Sequence, residues 1–438
     1  VKKCFSNEGE RRKSMKDVKI VIGASFGDEG KGLMTDYFAG DAATRGETTL
    51  VVCSNGGAQR GHTVKAKCNA TGQDTEVRHV FHHFGSGTYA GADTYLPYFF
   101  ILNPMLFVKE YFEIEEEYGG LPQVFVHSEC FVSTPFDMIL NQMLEEHRGN
   151  GRHGSCGMGI WETLVRSGIN YGTLMGMTDD EIRKYLGTDC RQYLWKRLKE
   201  KGVEDYRPEW RKIIEDDGLI EHYIEDLRFM QNYCEVADVN IFDRYDRVIF
   251  EGGQGLLLDR CRKEYGNNTT PSNTGIRNPY QLLKEYNLLK NNQLQKVYGT
   301  DNDSLEKISV EVCYVSRTYL TRHGAGRFDE ECDKTDINPN MVDLTNVPNP
   351  HQGTIRYGKL SSESLLRRIK EDFDSASLPM TFEPRKTLAV THINEYMSDI
   401  VKEADYISGG ETRESVEKRE KQIAAKVDAT YYLNYNMS

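Results

Sequence analysis

The stretch Val18-Lys19-Ile20-Val21-Ile22-Gly23-Ala24-Ser25-Phe26-Gly27-Asp28-Glu29-Gly30-Lys31-Gly32 decides the reading of this chain. Its first six residues are short, β-branched and closed by glycine, the pattern of a buried strand. The glycines that follow, and the helix-compatible run from Lys31 to Phe38, make a strand–loop–helix unit. In such a loop, backbone N–H groups close around phosphate oxygens, and Lys31 adds a positive point charge. The loop is not a Walker A motif. Gly23 stands too far from Gly30, and Gly32 occupies the place of the metal-binding hydroxyl, which disfavours an ordinary P-loop GTPase switch. Asp28 would repel phosphates unless it holds Mg²⁺ or takes a proton from an acceptor. The plainer alternative is that Asp28 and Glu29 cap the helix.

Outward from this unit the same grammar repeats. Thr49 to Cys53, Val124 to His127 and Arg247 to Phe250 read as strands, the first and last running into glycine-rich loops. Met138 to Glu146, Asp179 to Leu186 and Ile220 to Tyr233 read as helices. Strands that end in glycine-rich loops, with helices between them, predict an α/β fold: one large domain on a mostly parallel central sheet, with helical and small antiparallel elaborations. Such sheets hold ligands at the carboxyl ends of their strands. Residues 1 to 17 are polar and basic and read as a flexible extension, leaving 18 to 438 as the domain.

Composition excludes several classes. With 38% hydrophobic residues, 25 tyrosines and 18 phenylalanines, the 438-residue chain can bury a sizeable core. A net charge of −12 disfavours nucleic acid and anionic membranes as partners, without excluding a local basic pocket. No apolar run reaches membrane-spanning length. The ten cysteines include no CxxC pair, so a zinc site is not expected. Scattered thiols and the lack of a visible signal peptide point to a reducing, cytoplasmic compartment.

Here a resemblance becomes specific. Gly27-Asp28-Glu29-Gly30-Lys31-Gly32 resembles the signature loop of the adenylosuccinate synthetases, and further motifs follow in that family's order. Asn55 to Thr63 is similar to its second motif, with Gln59-Arg60 in place of the usual Asn-Ala before Gly61-His62. Gly154-Ser155-Cys156-Gly157-Met158-Gly159 resembles its monophosphate loop, with Ser155 and Cys156 replacing two threonines. Phe250-Glu251-Gly252-Gly253-Gln254-Gly255, Thr269 to Thr274 and Thr321 to Gly326 resemble later segments. Gln352 to Gly358 looks like the aspartate-binding loop, where Arg356 matches the second of two arginines and Thr354 stands for the first. Threonine cannot clamp a carboxylate as a bidentate guanidinium does. Val390 to Asn394 resembles the base-recognition segment, with His392 and Asn394 for its lysine and aspartate. Ile407 to Arg413 resembles the closing segment that flanks the same base.

The resemblance implies a ligase of purine biosynthesis that joins L-aspartate to C6 of a 6-oxopurine monophosphate, most simply IMP, at the expense of GTP or ATP. It implies Asp28 and His62 as catalytic base and acid, and Mg²⁺ held by Asp28 and the carbonyl of Gly61. The nucleotide-binding residues it implies are Gly27, Glu29, Gly30, Lys31, Gly32, Gln59, Thr63, Ser155, Cys156, Gln254, Thr270, Thr354, Arg356, His392, Asn394, Ser408, Gly409 and Gly410. Arg166 would reach the monophosphate of a neighbouring subunit, which makes the enzyme a homodimer. The histidines at 79, 82 and 83 read as structural. Two alternatives stay open. One is the same chemistry on GMP or dGMP for diaminopurine synthesis, as in phage relatives that replace the loop aspartate by a smaller residue. The other is a nucleotide-binding regulator without turnover, suggested by Thr354.

Overall fold

In a computed structural model the described residues are 15, 17–68, 75–166, 168–298, 307–340, 353–392, 395–396, 398 and 429–432. A nine-stranded sheet runs through their centre. Its strands in chain order are β1 (Asp17–Gly23), β2 (Thr49–Cys53), β3 (Asp93–Leu96), β4 (Val124–Val126), β5 (Glu235–Val236), β6 (Arg247–Gly255), β7 (Ile308–Arg317), β8 (Phe382–Thr391) and β9 (Ala429–Tyr432). Their spatial order is β9-β8-β7-β1-β6-β2-β3-β4-β5. Every neighbouring pair is parallel. The chain leaves β1 for β2 and walks outward to β5. It then returns to insert β6 between β1 and β2, and crosses to β7 on the other side. That reversal makes β1 the switch point, so the loop after β1 lies where parallel sheets open a crevice.

Alternation along the strands explains the layers, since successive side chains point to opposite faces. Val21, Val51, Ile249, Cys313 and Ala389 pack with Met34 and Phe38 of helix α1 (Lys31–Thr44). Ile20, Ile22, Leu50, Val248 and Val312 belong to a second core with Tyr280 and Leu283 of helix α5 (Arg277–Tyr298) and Leu365 and Ile369 of helix α6 (Ser362–Phe373). The longest of the intervening helices are α2 (Pro104–Tyr118), α3 (Pro135–Arg148) and α4 (Gly218–Tyr233). A third cluster, which includes Phe107, Leu140 and Leu227, joins α2, α3 and α4 into a helical flank. The small antiparallel elaborations are a hairpin, His62–Cys68 with Thr75–Phe81, and a three-stranded sheet of Leu320–Arg322, Arg356–Gly358 and Glu331–Cys332. The architecture is the α/β fold expected from the sequence. Residues 1 to 14 and 16 lie outside the described residues, whereas Met15 is buried in the core and Asp17 already opens β1.

Candidate active site

The loop after β1 is organised by Glu29. One carboxylate oxygen accepts from the backbone N–H of Ser25 at 3.0 Å and of Gly27 at 2.8 Å. The other accepts from the Lys31 ammonium at 2.7 Å, and both side chains are buried. Gly255 must be glycine for this: a Cβ there would stand 2.6 Å from that carboxylate and 2.2 Å from the carbonyl of Ser25. Neither Asp28 nor Glu29 caps α1, whose N-cap is Gly30 in the left-handed region without a side-chain cap. The capping alternative is therefore set aside.

Asp28 itself adopts a φ of 62°, rare for a residue with a side chain. The strand ends across the crevice hold it there. Arg317 at the end of β7 donates to its carbonyl, and the hydroxyl of Thr321 donates to that of Gly27 at 3.2 Å. His323 approaches its carboxylate at 3.1 Å. Burial alone would raise the Asp28 pKa, but the hydrogen bond and charge of His323, with Arg317 and Lys31, hold it well below the usual carboxylate range.

His62 enters from the hairpin. Its Nδ1 lies 2.6 Å from Glu251 Oε1 at the end of β6. Glu251 is fully buried and also accepts from the guanidinium of Arg60 at 2.6 Å, from the hydroxyl of Ser86 and from the Ser86 N–H at 3.2 Å. Its burial is outweighed by Arg60 and His62, which hold it ionised. An ionised carboxylate at Nδ1 fixes the tautomer with the proton there and points Nε2 the other way. That Nε2 is buried and has no hydrogen-bond partner. Burial pulls the pKa of His62 down despite Glu251, so the imidazole of the unliganded protein is neutral at pH 7, and a phosphate oxygen near Nε2 would favour its protonation.

Two more orphaned atoms sit on expected binding residues. Gln59 Oε1 and Thr270 Oγ1 are buried without partners. Buried polar atoms of this kind mark places where a missing group belongs. The side-chain amides of Gln59 and Gln254 converge above Gly56, where a Cβ would stand 3.3 and 2.9 Å from their Nε2 atoms, and Asn55 donates to Gln254 Oε1 at 2.6 Å. Thr63 follows His62 in the hairpin, half-buried, and its carbonyl faces Gly32 of α1, as does the His62 side chain.

The loop that carries Ser155 and Cys156 leans on the three-stranded sheet. A Cβ on Gly154 would fall 2.6 Å from Gly324 Cα. Asn141 of α3 donates to Ser155 Oγ at 3.0 Å, and burial pushes the Cys156 thiol up to about 11, so it is a neutral thiol at physiological pH. At the far end of the crevice, Thr391 donates to the carbonyl of Glu29 at 2.7 Å, which places the adjoining His392 beside the first loop. His392 is buried at a φ of 58° and is held neutral by burial and Arg317.

Two arginines are engaged elsewhere. Arg166 donates to both carboxylate oxygens of Asp137 at 2.8 and 2.7 Å, and to the Tyr185 hydroxyl. Arg356 makes a fork with Glu331, 2.7 Å at Nε, and its remaining nitrogen donates to Gly326 O at 2.9 Å. Thr354 is exposed beside it. Asn394, Ser408, Gly409 and Gly410 lie outside the described residues. His79 and His83 belong to a buried framework around Glu110 of α2, which also accepts from the backbone N–H groups of His82 and His83 at 2.7 and 2.6 Å.

A model of the adenylosuccinate synthetase family matches residues 20–346. The chain belongs to the adenylosuccinate synthetase family. Adenylosuccinate synthetase of Alkaliphilus metalliredigens is 25% identical over 324 residues, 72% of this chain and 65% of its own. That of Lactobacillus acidophilus is 26% identical over 319 residues, 71% of this chain and 64% of its own. The chain thus spans just under two thirds of the length of these curated relatives. Fully ligated adenylosuccinate synthetase from Plasmodium falciparum superposes with a TM-score of 0.59 at 17% identity, covering 95% of this chain and 97% of that one. Cyanophage S-2L succinoaminodeoxyadenylate synthetase, solved with dGMP and with dATP as an energy donor, superposes with a TM-score of 0.52 at 14% identity, over 95% and 91% of the two chains. Both neighbours share the adenylosuccinate synthetase fold seen here.

Sequence reasoning assigned no role to Glu251, Arg60 or His323, although each stands inside a quoted motif. The signal for Arg60 was its departure from the family's small residue. The buried charge of Arg60 is met by the buried carboxylate of Glu251 at 2.6 Å.

Proposed function

We propose that the protein is a C–N ligase that joins the amine of L-aspartate to C6 of IMP, using a nucleoside triphosphate and giving adenylosuccinate, nucleoside diphosphate and phosphate. The observation that carries this reading is the pair Asp28 and His62, each fixed by a side chain from another strand end, at the switch point of the sheet. Asp28 takes the N1 proton of the purine, so that O6 becomes the nucleophile towards the γ-phosphorus. Its low pKa makes it a weak base while His323 holds it, and the proton transfer requires that contact to loosen. His62 Nε2 then faces the charge that builds on the departing phosphate, with loop amides beside it. The aspartate amine displaces the 6-phosphoryl group as phosphate and loses a proton.

The donor set fits Mg²⁺. Asp28 supplies one hard, ionised oxygen and Gly61 an exposed main-chain segment. Such a cation would take its other oxygens from phosphates and water. That cation would neutralise phosphate charge. The triphosphate, GTP or ATP, belongs over Gly27 to Gly32. In this reading the enzyme is cytoplasmic and a homodimer. Arg166, bound within its own chain by Asp137, would have to leave that pair to reach a second subunit's ligand.

A second reading is supported by Gln59. Its unpartnered buried carbonyl can accept from the 2-amino group of a guanine, as on GMP or dGMP. Phosphate release is to be measured with Mg²⁺ and aspartate, crossing IMP, GMP and dGMP against GTP and ATP. Release with IMP that requires aspartate is the expected result. Release confined to GMP or dGMP selects the second reading, and no release in any combination overturns both.

A further inference from the structure

The first loop is also held from α6. Arg368 donates through Nε to the carbonyl of Ala24 at 3.1 Å and through Nη2 to the hydroxyl of Ser25 at 3.4 Å. Its side chain is buried at 8% exposure, yet among the described residues it pairs with no carboxylate. A buried guanidinium bonded only to neutral acceptors is unusual, because lost hydration is normally repaid by a counter-charge. Burial, with Arg262 and Arg367 nearby, pulls its pKa down to about 10.

Arg368 opens onto a cavity of about 510 Å³ that also holds Lys359, Ser361, Ser364, Phe26 and Tyr265. Three of its four wall carboxylates are already engaged. Asp329 is bound by Arg327 at 2.6 Å; Glu264 and Glu371 face Arg262 at 3.5 and 3.7 Å, and Glu371 also faces Arg367 at 3.9 Å. The fourth, Glu330, is exposed to solvent. Lys359 makes no ion pair among the described residues, so it and Arg368 are the two unpaired cations of the wall, against one unpaired carboxylate, Glu330. Ser361 is the N-cap of α6 and accepts from the N–H of Ser364, which leaves its own O–H to donate, at the positive end of a twelve-residue helix.

We propose that this cavity binds a small dianionic phosphate, free or as a monoester, between Arg368, Lys359 and the serines of α6, with any apolar part against Phe26 and Tyr265. Lys359 and Arg368 outnumber the one unpaired wall carboxylate, solvent-exposed Glu330, and hydroxyl donors with helix N–H groups complete the anion's shell. The site needs neither Asp28 nor His62, so it stands or falls apart from the ligase reading. Because Arg368 grips the backbone at Ala24, occupancy acts on the catalytic loop.

The test is calorimetric titration of the full chain with inorganic phosphate and with phenyl phosphate, repeated on Lys359→Ala and Arg368→Met. Lys359 is exposed, so its variant keeps the fold even if Arg368→Met does not. The expected result is one binding site lost, or weakened at least 10-fold, in Lys359→Ala. Tighter binding of phenyl phosphate supports a monoester, and equal binding supports free phosphate. Identical stoichiometry and affinity in wild type and Lys359→Ala, or no binding in wild type, overturns the proposal.

Discussion

The crevice has two halves built on different terms. Around the ends of β1 and β6, Asp28, His62 and Glu251 each bond to a side chain from another part of the fold, Glu29 bonds to Lys31 of its own loop, and three of the four are nearly or fully buried. At the other half, Ser155, Cys156 and Thr354 sit on loops and Arg356 opens a short strand, and all four are partly or fully exposed. Exchanges against the family motifs fall in both halves, but the buried one at Arg60 comes with a carboxylate partner in Glu251, whereas those at Ser155, Cys156 and Thr354 lie on accessible loops. A buried charge network tolerates no partial change, since removing one member strands the others without water. An exposed loop can trade a hydroxyl for a thiol, or an arginine for threonine, and alter affinity while the fold survives.

The comparison breaks most visibly at Asp28. Asp28→Asn keeps the shape and removes the proposed base, and the expected loss in aspartate-dependent phosphate release is about 10³-fold, with a melting temperature within a few degrees of wild type. A rate within ten-fold of wild type would mean that Asp28 is not the base. Next comes Glu251→Gln, which leaves Arg60 as a buried, unpaired cation. We expect about 3 kcal/mol of lost stability in urea unfolding, against less than about 0.5 kcal/mol for Thr354→Ala on the exposed side. Equal losses at the two positions would erase the distinction between the halves. The smallest effect sharpens the comparison instead. Thr354→Arg restores a carboxylate clamp and is expected to lower the KM for aspartate about 10-fold with kcat unchanged; an unaltered KM would show that aspartate is held by other groups.

The sequence carried the first half better than its wiring. Val18 to Gly23, Thr49 to Cys53 and Lys31 onward are legible because strand alternation and glycine punctuation are local. β7 and β8 escaped notice although β7 pairs with β1 and β8 pairs with β7. Glu311 interrupts the apolar run of β7, where it is buried by pairing with Lys19 at 3.0 Å, and Pro384 with Arg385 and Lys386 makes the start of β8 look like a loop. The bond from His62 to Glu251 spans 189 positions of sequence. No periodicity reports a contact of that kind, because it exists only once the β6 insertion brings two strand ends together. Arg356 shows the converse: its match to the aspartate loop was plain, but its fork to Glu331 depends on a register between two short strands.

Glu29 gives the first loop a further property. Its carboxylate already fills the place among the amides of Ser25 and Gly27 that an oxyanion would otherwise take. The loop therefore keeps its curvature with no visitor present, and in the proposed reaction a triphosphate would meet a scaffold that does not have to be ordered first. In that reading each turnover would begin and end with the same backbone, and only the tenant would change.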